Sequence, residues 1–143
     1  MVNTFYEQAE AIIVAEAGSK PHFVGDQVMS WFADPARALQ AGRRLSCETN
    51  AALAGLGLGA GVGIHWGEVV EGILGSASTR SYDIIGDTVN TASRLVSEAQ
   101  GGEVLLTDEM RKAAGVPDAA VGTPRVVAVK GKERAVRMWP LAP

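Results

Sequence analysis

The stretch RSYDIIGDTVNTASRL, residues 80 to 95, changes its period halfway along, and that change limits what the chain can fold into. Up to Ile85 the apolar residues suit a strand. After Gly86-Asp87 they recur at helical spacing, which predicts a strand over 81 to 85 and a helix over 88 to 99 capped by Asp87 and ended by Gly101-Gly102. On a helical wheel Val89, Ala92, Val96 and Ala99 share one face, with Leu95 at its margin. Asn90 and Arg94, four apart, share nearly the opposite face and so point away from the core of this unit. With Asp83 in the preceding strand they offer a carboxylate, an amide and a guanidinium to one surface. A nucleotide needs such a set: an acceptor for an exocyclic amine, an amide for a sugar, and a forked cation for phosphate. The same residues also suit a solvated helix face beside a polar strand residue.

The surroundings fit one α+β unit over residues 1 to 143. Thr4 and Glu7 read as a capping box opening a helix, with Phe5, Ala9, Ile12 and Ile13 at helical spacing and Gly18 as its end. In HFVGDQVMSWF two β-prone runs flank Gly25-Asp26, a tight hairpin with Gly at its first central position. Asp34 and Pro35 read as N-cap and N1 of a helix running to about Leu53. The glycine-rich GLGLGAGVGIHWGEVVEGILGS has alternating apolar residues and no GKS or GKT, so it is not a phosphate loop. It predicts a strand over 61 to 66, a turn at Gly67-Glu68 and a return strand over 69 to 74. EVLLT reads as a strand, DEMRKAA as a short helix, and 125 to 129 and 134 to 139 as closing strands. This order predicts helices packed on one face of a mostly antiparallel sheet.

A net charge of −3 gives no basic footprint for nucleic acid. The single cysteine, Cys47, rules out an intrachain disulfide and any multi-cysteine metal site. MVNTFYEQAE lacks the basic-then-apolar order of a signal peptide, and no apolar run reaches the length of a membrane span. The expected location is the cytoplasm, either as such or as the cytosolic part of a larger, membrane-tethered protein.

YDIIGDTVNTASRL resembles the signature of the class III nucleotidyl cyclases, the adenylate and guanylate cyclase catalytic domains. FVGDQVMSWF is similar to that family's metal hairpin, GVGIHWGEVVEGILGS to its glycine-rich strand pair, and GGEVLLTDEM and VKGKERAVRMW to its C-terminal elements, all in order. The resemblance implies a ferredoxin-like, cyclase-type sandwich that forms a homodimer or a heterodimer with another cyclase domain. It implies that ATP is converted to cyclic AMP and pyrophosphate with two divalent ions, Mg²⁺ or Mn²⁺. By similarity Asp83 accepts from the adenine amine, Asn90 orients the ribose, and Arg94 stabilises charge on the phosphates. Lys130 contacts the terminal phosphates, with Lys132 the alternative for that role, and Asp26 is one of two metal aspartates. A hairpin-tip aspartate is otherwise simply a good turn residue.

Two departures matter. The family's first strand, an F-x-D-I-x-G-F-T-like run with the other metal aspartate, has no counterpart, and this sequence begins in the following helix. Loss of a central strand is expected to leave unpaired strand edges. Also, His22 stands where the family has a purine-contacting lysine. It either hydrogen-bonds a purine nitrogen or is an edge-strand histidine without a ligand. Three readings are open: an adenylate-cyclase-type enzyme, a non-catalytic cyclase-homology partner that lends the nucleotide side of a dimer interface or regulates by dimerisation, and a sandwich with no nucleotide site.

Overall fold

The computed structural model describes residues 2–74, 81–128 and 135–143. Helix α1 (Val2–Ala15) is followed by the hairpin β1 (His22–Val24) and β2 (Gln27–Met29). Next come α2 (Pro35–Arg44), a π-helical segment Leu45–Thr49, α3 (Asn50–Leu53) and a 3₁₀ turn Ala54–Leu56. Strands β3 (Val62–Ile64), β4 (Val70–Leu74) and β5 (Ser81–Ile85) lead into α4 (Asp87–Glu98). Strand β6 (Val104–Thr107), helix α5 (Asp108–Ala114), a 3₁₀ turn Asp118–Ala120, and strands β7 (Arg125–Val127) and β8 (Val136–Pro140) complete the order.

The central sheet has the order β3-β6-β8-β7, with β3 parallel to β6 and the other pairs antiparallel. Strand β6 is buried at every position, because successive side chains enter two different cores. Val104 and Leu106 join Ala38 of α2 and Met110 of α5. Leu105 joins Leu95 of α4 and Met138 of β8 on the other face. The α+β architecture is as expected. Helix α4 adds a layer on the face opposite α2 and α5.

Strand β3 is gripped from both sides for the same reason. Val62 and Ile64 pack on the α2 side, where Gly42 faces Ile64. Gly61 and Gly63 face α4: a Cβ on Gly63 would stand 2.5 Å from Leu95 Cβ, and one on Gly61 would stand 2.7 Å from Ala99 Cβ. The strand's glycines therefore set how deeply α4 sits.

Several local expectations change. Helix α1 already runs from Val2, so Thr4 lies inside it and is no cap. It ends at Ala15, and Ala17 rather than Gly18 takes the left-handed conformation (φ 63°). Gly18 is instead a close approach, since a Cβ there would meet Ile13 and Phe32 at 2.7 Å. Residues 61 to 74 do not form a hairpin: β3 pairs with β6, and β4 pairs with β5 from Val70↔Ile85 to Leu74↔Ser81. Parallel pairing puts β3 beside the doubly buried β6, where its glycine face can meet α4. The expected Asp34 cap is present, its carboxylate accepting from Ala36 N at 2.9 Å, with Pro35 next in the chain. Asn50 then fastens the end of the long helical run, donating to Ser46 O (2.7 Å) and Ala60 O (3.0 Å) and accepting from Ala60 N (2.8 Å).

The hairpin turns at Gly25-Asp26 between paired Val24 and Gln27, with Gly25 at φ 61°. Among the described residues its two strands pair only with each other, and β3 has β6 as its one neighbour.

Candidate active site

Helix α4 carries the polar pair singled out in the sequence. Its N-cap is Gly86 (φ 134°, ψ 178°), not Asp87, which is the first helical residue. A carboxylate there still complements the positive end of the helix. Asn90 N donates to Gly86 O at 3.3 Å. Thr88 Oγ1 donates to the Glu68 carbonyl, and a Cβ on Gly67 would stand 2.7 Å from Thr88 Oγ1, so the β3–β4 connection is tied to the first turn of the helix.

The buried face of α4 is carried by Thr91 and Leu95; Val89, Ala92, Val96 and Ala99 are half-buried flanks. A hydropathy pattern scores Thr91 as polar. Its hydroxyl donates to Asp87 O at 3.0 Å, so it enters the core satisfied. Asn90 and Arg94 are exposed on the outer surface, as their spacing predicts.

Arg94 Nη2 is 3.2 Å from Glu98 Oε1. The backbone of Glu98 is held in turn: its carbonyl accepts from Arg125 Nη2 at 3.2 Å. Arg125 also makes a two-point contact with the Glu103 carboxylate. Those hydrogen bonds from Arg125 are the main reason that the Glu103 carboxyl lies below the usual carboxylate range. Glu98 played no part in the sequence reading, although its i+4 spacing from Arg94 was a usable signal.

The other expected site residues lie elsewhere. Asp83 has its backbone in β5, opposite Gly72 of β4. Its carboxylate, and the whole of Lys130, lie outside the described atoms. His22 is on β1, paired with Met29, its ring 5.6 Å from that of Trp31. Both line a shallow open pocket with Ser19, Lys20, Pro21, Phe23 and Val24. Asp26 is exposed at the hairpin tip. The hairpin is braced on α1 by Tyr6, whose ring lies 4.7 Å from that of Phe23 and whose hydroxyl donates to Gly25 O. Among the described residues no three His, Cys, Asp or Glu side chains converge on a metal position. A two-ion site needs bridging carboxylates, and the hairpin tip offers one in the exposed Asp26.

The model of the adenylate and guanylate cyclase catalytic domain matches residues 1–142. The chain belongs to that family. Among curated relatives, the germination-specific adenylate cyclase of Dictyostelium discoideum is 34% identical over 84 residues, covering 59% of this chain and 10% of the relative. The receptor-type guanylate cyclase gcy-6 of Caenorhabditis elegans is 37% identical over 79 residues, covering 54% of this chain and 7% of the relative. The chain thus spans about a tenth or less of the length of these relatives. In structure it matches the guanylyl cyclase Cya2 with a TM-score of 0.79 at 26% identity, covering 98% of this chain and 77% of that one. The adenylyl cyclase CyaB from P. aeruginosa matches in fold with a TM-score of 0.76 at 24% identity, covering 99% and 80%. Cyclases named for either base stand among these relatives, so the family alone does not choose between ATP and GTP. Among the described residues no helix is long and apolar enough to cross a membrane.

Proposed function

We propose that residues 1 to 143 form a cyclase unit of the adenylate type, converting ATP to cyclic AMP and pyrophosphate at an interface shared with a second cyclase domain. The observation that carries this reading is the two-faced helix α4. Thr91 and Leu95 are locked in the core, while Asn90 and Arg94 stand four residues apart on the outside, where another chain can bring a nucleotide.

In the reaction the ribose 3′-oxygen attacks the α-phosphorus. A new P–O bond forms, the bond from that phosphorus to the bridging oxygen of the β-phosphate breaks, and pyrophosphate leaves; the 3′-hydroxyl proton passes to solvent. Asn90 orients the ribose. Arg94 stabilises the charge that builds on the phosphate oxygens. Asp83 accepts from the adenine amine, an acceptor that a guanine carbonyl cannot satisfy. Lys130 contacts the terminal phosphates and His22 the purine ring. Asp26 would offer one carboxylate to Mg²⁺ or Mn²⁺, and residues 1 to 143 hold no second aspartate in an F-x-D-I-x-G-F-T-like run.

That last point favours a specific second reading: the chain is a partner that lends its Asp83–Asn90–Arg94 side to another domain holding both aspartates. The test is complementation. The chain is mixed with a cyclase domain that keeps both metal aspartates but has its Asn and Arg counterparts of Asn90 and Arg94 replaced by Ala. Little cyclic AMP is expected from either protein with magnesium or manganese, and turnover is expected from the mixture. Arg94→Ala in this chain should remove the gain, since deleting one preorganised charge costs about 10²–10³ in rate. A mixed dimer demonstrated by sedimentation yet silent in turnover would end the complementation reading. Strong activity of this chain by itself would show that it completes its own metal site.

A further inference from the structure

In this fold Arg94 does not stand free above α4. Its guanidinium rests on the carboxylate one turn further along the helix, Nη2 to Glu98 Oε1 at 3.2 Å. Asn90 lies one turn in the other direction, so Arg94 sits between an amide toward the N-terminus and an acid toward the C-terminus. Glu98 is the better anchored of the pair, because Arg125 holds its carbonyl and brings a second positive charge close to it.

The order of the two residues matters. An acid placed four residues before a base is the stronger order, because it matches the helix dipole. Here the base comes first, which is the weaker order. Both side chains are also partly open to solvent, Arg94 at 43% and Glu98 at 32% exposure. The contact is therefore one that a phosphate can displace.

We propose that Glu98 is a positioning residue that parks Arg94 away from the nucleotide in the empty site and sets how readily the arginine is released to polyphosphate. This deepens the proposed function and rests on its reading of Arg94 as the phosphate-binding cation.

The test is a titration with manganese 3′-deoxy-ATP, which lacks the attacking hydroxyl and stays intact, against the full chain and four variants: Glu98→Gln, Glu98→Ala, Arg94→Ala and the double substitution Arg94→Ala with Glu98→Gln. Releasing Arg94 from an exposed pair of this kind is worth up to about fivefold. Glu98→Gln is therefore expected to bind about two- to fivefold more tightly, with Glu98→Ala behaving alike. A gain in affinity at unchanged melting temperature is something that a merely structural role for Glu98 does not produce. Arg94→Ala should weaken binding, and the double variant should bind like Arg94→Ala. Unchanged or weaker binding by Glu98→Gln and Glu98→Ala overturns the inference while leaving the role of Arg94 intact. So does a gain that persists in full without Arg94, because the carboxylate then acts on the phosphates directly. If Arg94→Ala by itself changes nothing, the phosphate reading of Arg94 falls and the parking role falls with it.

Discussion

Replacing Gly63 by Ala places a methyl group where there is no room. Its carbon would stand 2.5 Å from Leu95 Cβ, 2.9 Å from Val96 N and 3.0 Å from Ala92 O. Ordinary contact between carbon atoms is about 3.5–4.0 Å, so α4 must move off β3 by roughly 1 Å. Two of the three obstructing atoms are helix backbone, and Leu95 is fully buried, so no side-chain rotation relieves the clash. Overpacking of this sort costs about 1–3 kcal/mol, and the upper part of that range applies here. The stiffer alanine returns about 0.5–1 kcal/mol, which leaves a net loss of about 2 kcal/mol. In a chain of this length that is a drop of about 7 °C in Tm. Gly42→Ala is the matched control. Its methyl also meets an atom at 2.5 Å, but that atom is Ile64 Cδ1, the free end of a flexible side chain. Alanine also favours the helix by about 1 kcal/mol, so Gly42→Ala should be near neutral. Urea unfolding at fixed protein concentration, followed by circular dichroism, compares the three proteins. If Gly63→Ala lies within about 0.5 kcal/mol of the parent, or Gly42→Ala costs as much as Gly63→Ala, the glycines do not set the depth of α4.

Thr107 caps α5 and its hydroxyl lies 2.7 Å from His65 Nδ1, so Thr107→Val should cost about 1–2 kcal/mol in the same urea series; a loss below about 0.5 kcal/mol would deny the cap its role. The Glu103 carboxyl is held low by Arg125, so its ionised form stabilises the fold above the ordinary carboxylate value of about 4.3, and that contribution fades as pH falls through the lower folded value. Glu103→Gln should therefore be less stable than the parent at pH 7, and the gap should narrow as pH falls below the ordinary carboxylate value, as read from unfolding midpoints; a constant gap across the acid range would remove the ion pair as the cause. For base choice, 3′-deoxy-ATP should bind more tightly than its guanosine counterpart, and Asp83→Asn should narrow the difference. Equal affinities in calorimetric titrations would take Asp83 out of base reading.

Much of the fold could be read from local signals. The hairpin at Gly25-Asp26 and the Asp34-Pro35 helix start are set by turn and cap chemistry within a few residues, and both are present. The outward placement of Asn90 and Arg94 comes from helical period alone. The features that local signals miss depend on distant parts of the chain or on backbone detail. The partner of β3 is β6, about 40 positions away, and no spacing within the glycine-rich stretch distinguishes that from a hairpin with β4. Thr91 escapes a hydropathy pattern because its burial depends on a bond to the helix's own backbone. Gly86 rather than Asp87 caps α4 because the backbone there is at φ 134°, which glycine adopts readily. The candidate site was legible as residue types and less so as geometry: the Arg94–Glu98 contact depends on which rotamers two long side chains choose.

The π-helical segment Leu45–Thr49 bears on how this chain can change length. A π turn is an α-helix that has absorbed one extra residue without disturbing the phase of the helix beyond it. The next residue here is Asn50, whose three bonds to Ser46 and Ala60 depend on its bearing around the helix axis. Deleting one residue within Leu45–Thr49 would restore ordinary helix and leave Asn50 facing Ala60. The same deletion within Pro35–Arg44 would swing either the cap end or Asn50 by about 100° around the axis, breaking one set of contacts or the other. Among homologous chains, single-residue gaps between α2 and α3 should therefore gather at the five positions of the wide turn.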